Sequence, residues 1–229
     1  MYKKNKSNNI LLVACLLLLV AATSCKKTGY LTDTGIHDAV TPLSNYDYLA
    51  KNQFKQFDTL LQIIDRFDGL KDEMNKAGTF FAPTDFSILR TLNARLAAKQ
   101  LINPSNTYSL DSLVKAITID SLRQYMFKDK ITLDNAPELQ AAPYTSLGNT
   151  TQGALKVLQT GAPYVGSRTT AATYLLFFVK VRGALDVPGV TPPANESDIS
   201  VLCQTTGILT SNGNTVLHVL SNTHFFTTF

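Results

Sequence analysis

The stretch GTFFAPTDFSIL, residues 78 to 89, decides how the rest of the chain is read, because it is either a catalytic loop or a structural corner. Thr79 to Ala82 favour an extended strand, Pro83 interrupts it, and Thr84 is placed to accept backbone N–H bonds at the start of a new helix. Phe86, Leu89, Leu92 and Leu96 then fall on one helical face. Asp85 could serve as an acid or base, but a carboxylate in the first turn of a helix is favoured by the helix dipole without any catalytic task. A buried strand turning into a capped helix explains every residue here, so the structural corner is preferred.

Upstream, FDTLLQIIDRFDGL carries Phe57, Leu60, Leu61, Ile64 and Phe67 at the spacing of an amphipathic helix, with Gly69 as its stop. KDEMNKAG reads as a polar turn or short helix. Downstream, SLDSLVKAI (Leu110, Leu113, Val114, Ile117) and DSLRQYMF (Asp120 as cap; Leu122, Tyr125 and Met126 inward) read as two further helices. After Lys130 the pattern changes. ITL, TSLGN, GALKVLQT, TYLLFFVKVRG, SVLCQTTGIL and NTVLHVL are strand-like, with TYLLFFVKV expected to be covered on both faces and Asn212 and Gly213 forming a tight turn. The proline-rich stretch from Val187 to Ser197 reads as an exposed loop.

The amino terminus has a different character. MYKKNKSNN is basic, residues 10 to 22 are uninterruptedly apolar, and small residues lead to a cysteine. This resembles a bacterial lipoprotein signal peptide over residues 1–24, with Ala22, Thr23 and Ser24 before an acylated Cys25; an ordinary thiol behind a conventional cleavage site is the alternative. The resemblance implies a membrane partner, reached through the lipid at Cys25, and a bacterial cell-envelope location. Lys26 after the cysteine favours an outer-membrane address, with the periplasmic and external leaflets both open. Residues 25–45 are polar and broken by glycine and proline, and read as a tether to a single domain over 46–229.

With three of the 21 Lys and Arg and none of the 17 Asp and Glu in the leader, 18 basic residues face 17 acidic ones in the remainder. That balance gives nucleic acid no electrostatic footing. Cys15 leaves with the leader and Cys25 is committed to lipid, so Cys203 stands alone and no internal disulfide forms; it reads as a buried structural thiol. His37, His218 and His224 are not at metal-ligand spacing, so no metal and no cofactor is expected. His218, between Leu217 and Val219, reads as a buried hydrogen-bonding residue without a Ser/Asp partner. A hydrolase using Cys203 or His218 is accordingly disfavoured. Tyr144, Tyr164 and Tyr174 could stack on sugars, with core or loop packing as the alternative.

Taken in order, the amphipathic helix, FFAPTD, DSLRQYMFKDKIT, TSLG and SNGNTVLHVL resemble the fasciclin domain over roughly residues 46 to 226. The resemblance implies an α+β fold, a β-wedge or sandwich packed on several helices, used as an adhesion or ligand-docking module and not as an enzyme. Carried over, Phe80, Phe81, Ala82, Pro83, Thr84 and Asp85 frame the first family box, Asn212, Gly213 and His218 fall in the second, and all are expected to maintain the fold. Tyr125 is followed by Met126 where many members carry a tyrosine and histidine pair, which argues against the integrin adhesion linked to that pair in animal members. The function implied is a non-enzymatic envelope lipoprotein with a protein or glycan ligand. The alternative is an accessory subunit of an outer-membrane uptake or polysaccharide-processing complex. The sequence leaves the oligomeric state open.

Overall fold

A computed structural model describes residues 39–161 and 172–227. The expected lipidation site Cys25, together with His37 and Tyr164, lies outside the described residues.

Helices fill the first half. They are α1 (Asn45–Ala50), α2 (Asp58–Ile64), α3 (Leu70–Lys76), α4 (Asp85–Gln100), α5 (Leu110–Ala116) and α6 (Ile119–Arg123), with strand β1 (Thr79–Ala82) between α3 and α4. α2 buries Leu60, Leu61, Ile63 and Ile64. It ends before Phe67, and Gly69 does not close it: with φ of 78°, Gly69 is the N-cap of α3, where the absence of a Cβ permits the left-handed backbone. Likewise Asp120 is not the cap of its helix. Thr118 and Ser121 form a reciprocal capping box that satisfies the first amides of α6, leaving Asp120 in the first turn.

Strands dominate the second half: β2 (Met126–Phe127), β3 (Ala142–Thr145), β4 (Thr151–Gln159), β5 (Thr173–Lys180), β6 (Ile199–Thr210) and β7 (Thr215–Leu220). Ile131 to Leu133 joins no strand. Instead, the Ile131 N–H donates to Thr79 Oγ1 at 2.8 Å and its carbonyl meets the His218 ring, so side chains take the place of a ladder. β5 is only partly covered on both faces: Leu176, Phe178 and Val179 are buried, whereas Leu175 and Phe177 are half-buried.

The sheet runs β2-β1-β7-β6-β5-β4-β3. β1 and β7 are parallel, and the other neighbouring pairs are antiparallel. The two outer strands approach each other: Phe127 bridges Ser146, and the Leu147 N–H donates to the Met126 carbonyl at 2.8 Å. The sheet therefore comes close to closing as a barrel, which leaves little unpaired edge at that seam. Every residue of β1 and β7 is buried, as parallel strands covered on both faces require. The architecture is α+β.

The described residues ahead of Tyr46 are also tied to the fold. Val40 bridges Leu209, the Thr41 N–H donates to the Leu209 carbonyl at 2.7 Å, and Asn45 is fully buried with its amide on the Met74 carbonyl. Val187 to Ser197 is exposed at nearly every position, in line with the loop expected there. Its two ends are clamped by Asp198, whose oxygens accept the Arg182 and Asp186 N–H groups at 2.9 Å. Among the described residues no helix is long and apolar enough to cross a membrane.

Candidate ligand-binding groove

Of the residues singled out in the sequence, Phe80, Phe81, Ala82, Tyr125 and His218 are all buried. Phe80 and Phe81 are buried in β1, and the parallel register sets Phe81 beside His218 and Ala82 beside Val219. The Phe81 and His218 rings stack with centroids 4.9 Å apart. FFA and TVLHVL are thus neighbouring strands although 138 positions separate Thr84 from its partner Asn222 just beyond them. Asn212 and Gly213 lie in the turn between β6 and β7. Ser211, Asn212 and Gly213 all have positive φ there, a backbone that asparagine and glycine tolerate.

Thr84 does not cap α4 with its side chain. Its hydroxyl donates instead to Asn222 Oδ1 at 2.8 Å, tying the corner to the segment after β7. Asp85 is more than a first-turn acid. Its carboxylate reaches across to α2, accepting the Thr59 N–H at 3.0 Å and the Leu60 N–H at 3.1 Å, while its own N–H donates to the Gln56 carbonyl at 2.8 Å. The N-cap residue of α2 is Phe57, whose side chain makes no capping bond, so Asp85 supplies the cap from another helix.

That cross-brace fixes which face of α4 turns inward. Ser87, Ile88 and Thr91 are buried, whereas Phe86 and Leu89 are 51% and 52% exposed. Ser87 and Thr91 bury bonded hydroxyls: Thr91 Oγ1 donates to the Phe226 carbonyl at 3.1 Å and the Ser87 hydroxyl to the Ser221 carbonyl at 3.5 Å, while the Phe226 N–H donates to the Ser87 carbonyl. The C-terminal segment occupies the face, and its backbone needs hydroxyl partners rather than leucines. The first two residues of the apolar stripe, Phe86 and Leu89, therefore look outward, whereas Leu92 is half-buried against the core. With Phe54 (71% exposed), Gln56, Thr59 and the edge of Leu92, they line a groove of about 290 Å³ with Asp85 in its wall. The groove is within reach of an apolar or aromatic ligand group, and Asp85, both of its oxygens engaged, is a wall and not a free base.

The other titratable groups are enclosed. His218 Nε2 donates to the Ile131 carbonyl at 2.9 Å and Nδ1 accepts the Gly207 N–H at 3.2 Å, which fixes one neutral tautomer. Gly207 has φ of 74° and lies at an irregularity in the β6–β7 register, so the imidazole satisfies an amide that the ladder leaves behind. Burial holds the His218 pKa down at about 4, with the Ile131 bond opposing. Tyr125 lies beyond the end of α6, buried, its hydroxyl 2.8 Å from His224 Nε2 and accepting the Thr227 N–H. Burial pushes the phenol upward and the His224 imidazole down to about 3. A histidine thus meets Tyr125 from the C-terminal segment; no spacing in the sequence joins the two, and sequence reading missed it. The Cys203 thiol is buried in β6 and its pKa is raised by burial. Tyr144 packs edge-on against Phe127 at 6.4 Å, and Lys156 sits 5.3 Å from the Tyr174 ring centre.

No protein-family model matches this chain, and no curated protein matches it.

Proposed function

We propose that this chain is a non-enzymatic lipoprotein of the bacterial cell envelope whose fasciclin-like domain binds a protein or glycan ligand. The observation that carries the reading is the exposed pair Phe86 and Leu89 on α4, which with Phe54 makes an open groove beside the FFAPTD corner. Large apolar side chains arranged contiguously on a surface mark contact sites. The order of motifs supports the fasciclin assignment, and the near-closed mixed sheet packed with six helices is compatible with it. The residues with chemical potential support a binding role: His218 has both nitrogens bonded to backbone, Asp85 braces α2, and Cys203 is enclosed.

The test uses immobilised chain from Ala39 onward, probed with solubilised outer-membrane proteins and an array of envelope and extracellular glycans. A retained ligand that is lost on Phe86→Glu or Leu89→Glu supports the groove; no retention, or retention indifferent to both variants, overturns it. Co-purification with a transporter would instead favour the accessory-subunit reading. Cys25→Ser tests the anchor separately: it should abolish labelling by a radiolabelled fatty acid and release the protein from the membrane fraction.

A further inference from the structure

We propose that the loop after α4, with the cationic groove behind it, docks on an anionic phospholipid surface. The observation begins with two adjacent side chains. Leu101 and Ile102 are 89% and 86% exposed, an aliphatic pair at the C-cap of α4 and just beyond it. Their exposure is built into the backbone. The Leu101 and Asn103 N–H groups close onto the Ala97 and Lys99 carbonyls, the Asn106 side chain also donates to the Lys99 carbonyl at 2.9 Å, and the Ser105 N–H donates to Asn103 Oδ1 at 3.0 Å. A turn with these bonds made holds the pair away from the core, at a cost that water contact alone does not repay.

The electrostatics around the pair point to one kind of partner. From Phe86 to Leu110 the chain has three cations, Arg90, Arg95 and Lys99, and no acid. A groove of about 600 Å³ between α4 and α5 is lined by Arg95, Lys99 and Lys115 together with Ile102 and Tyr108, and no carboxylate lines it. Among the described residues none of these three cations is in an ion pair; the nearest acid on α5, Asp111, is held by Arg66. Cations surrounding exposed aliphatic side chains are the arrangement that enters a headgroup layer, with the charges meeting phosphates and the aliphatics reaching the acyl boundary. In a chain whose charge is otherwise nearly balanced, this concentration is local and directional. It is separate from the groove beside Asp85 and does not depend on Cys25: it would set how the domain lies against a bilayer, leaving the Phe86 and Leu89 groove to its own ligand.

The test is co-sedimentation of the chain from Ala39 onward, which contains every described core residue, with vesicles of phosphatidylcholine alone and of phosphatidylcholine with phosphatidylglycerol. Circular dichroism confirms that each variant is folded. Binding is expected only to the anionic vesicles and should fall steeply with salt. Lys99→Gln and Lys115→Gln should each lower the partition coefficient by about fivefold, and Leu101→Ser with Ile102→Ser by roughly tenfold or more. Equal binding to both vesicle types, no binding to either, or binding unchanged by the paired serine substitution would overturn the proposal. So would soluble uronate oligosaccharide that binds at Lys99 and Lys115 while anionic vesicles do not.

Discussion

Asp85 and Leu60 are 25 positions apart, yet the Leu60 N–H donates to Asp85 Oδ1 at 3.1 Å while the second carboxylate oxygen takes the Thr59 N–H. One side chain therefore starts two helices, α4 by its place in the first turn and α2 by capping it from outside. Asp85→Ala should cost about 1–3 kcal/mol, because two amides lose a charged acceptor. Asp85→Asn, with one acceptor oxygen left, should fall between it and the native chain. Urea unfolding monitored by circular dichroism measures both, and an alanine variant within about 0.5 kcal/mol of native would show that the cross-brace is incidental.

Gly78 precedes β1 in the same corner, and its importance lies in space rather than conformation. A Cβ placed there would lie 2.1 Å from the Lys128 carbonyl oxygen and 2.9 Å from that of Asp129. Both neighbours are backbone and cannot rotate away, so Gly78→Ala must push β1 from the chain after β2. A loss of about 1–3 kcal/mol or more is expected from overpacking of this kind. Gly69→Ala, with φ of 78° but open space, should cost about 1–2 kcal/mol by conformation alone. Thermal melts of the pair would separate the two causes, and a native-like Gly78→Ala would contradict the close approach.

The corner and the long strands β4 to β7 were legible in sequence because both leave local marks, whereas the short β2 lay in a segment read as helix and ITL and most of TSLGN form no strand. Pro83 ends a strand, β-formers alternate with glycine and asparagine breaks, and the Asn212 and Gly213 turn lies where two apolar runs meet. The face of α4 was not legible. Periodicity selected Phe86, Leu89, Leu92 and Leu96, and Leu92 does pack against the core, but the inward face at the start of the helix is chosen by what packs on it, and Ser87 and Thr91 are inside because Ser221 and Phe226 bring backbone carbonyls there. That partner is remote in sequence, and a hydroxyl that is buried because it is bonded looks like any exposed one. For the same reason Tyr125 and His224 could not be paired in advance, being 99 positions apart. The groove was hidden because Phe86 and Leu89 lie on the apolar face that periodicity marks, and nothing local shows that this face is left uncovered there.

The outward face of α4 gives opposite expectations for neighbouring residues. Phe86→Ser and Leu89→Ser, at half-exposed positions, should change stability by less than about 1 kcal/mol, and Ile88→Ala, fully buried, should cost about 2–5 kcal/mol. Denaturant midpoints for the three variants decide between the faces. Severe destabilisation by Phe86→Ser with a mild Ile88→Ala would place the Phe86 face in the core and remove the groove.

Cys203 offers a simple probe of the sheet. It is buried in β6 beside β7, and burial raises its thiol pKa, so little thiolate is available to an alkylating agent. Labelling by iodoacetamide at pH 8 should follow opening of the sheet, accelerating across the urea transition and negligible before it. Rapid native-state labelling, timed by mass spectrometry, would show that this part of β6 opens far more readily than its burial implies.

His218 and His224 should make the domain acid-sensitive. Burial lowers both pKa values, to about 4 and about 3, from an ordinary 6.5, so in the folded protein each stays neutral where the unfolded chain already binds a proton. The sign follows from linkage: stability is fully present above pH 6.5, falls as pH drops, and stops falling on their account below about 4 for His218 and about 3 for His224. Between pH 6 and 4.5 each histidine should contribute a slope of about 1.4 kcal/mol per pH unit. His218 meets Phe81, Gly207 and Ile131, none of them ionisable, and His224 meets the Tyr125 hydroxyl. Glu73, whose pKa its bond to Arg123 lowers, loses its own stabilisation as pH falls through the carboxylate range, so the raw curve mixes causes. The difference between native protein and His224→Phe isolates one histidine. Urea unfolding at a series of pH values should give a variant slope shallower by about one proton between pH 6 and 4.5, whatever its overall stability. Parallel slopes would mean that His224 is protonated in the folded domain, and the enclosed Tyr125 contact would have to be redrawn.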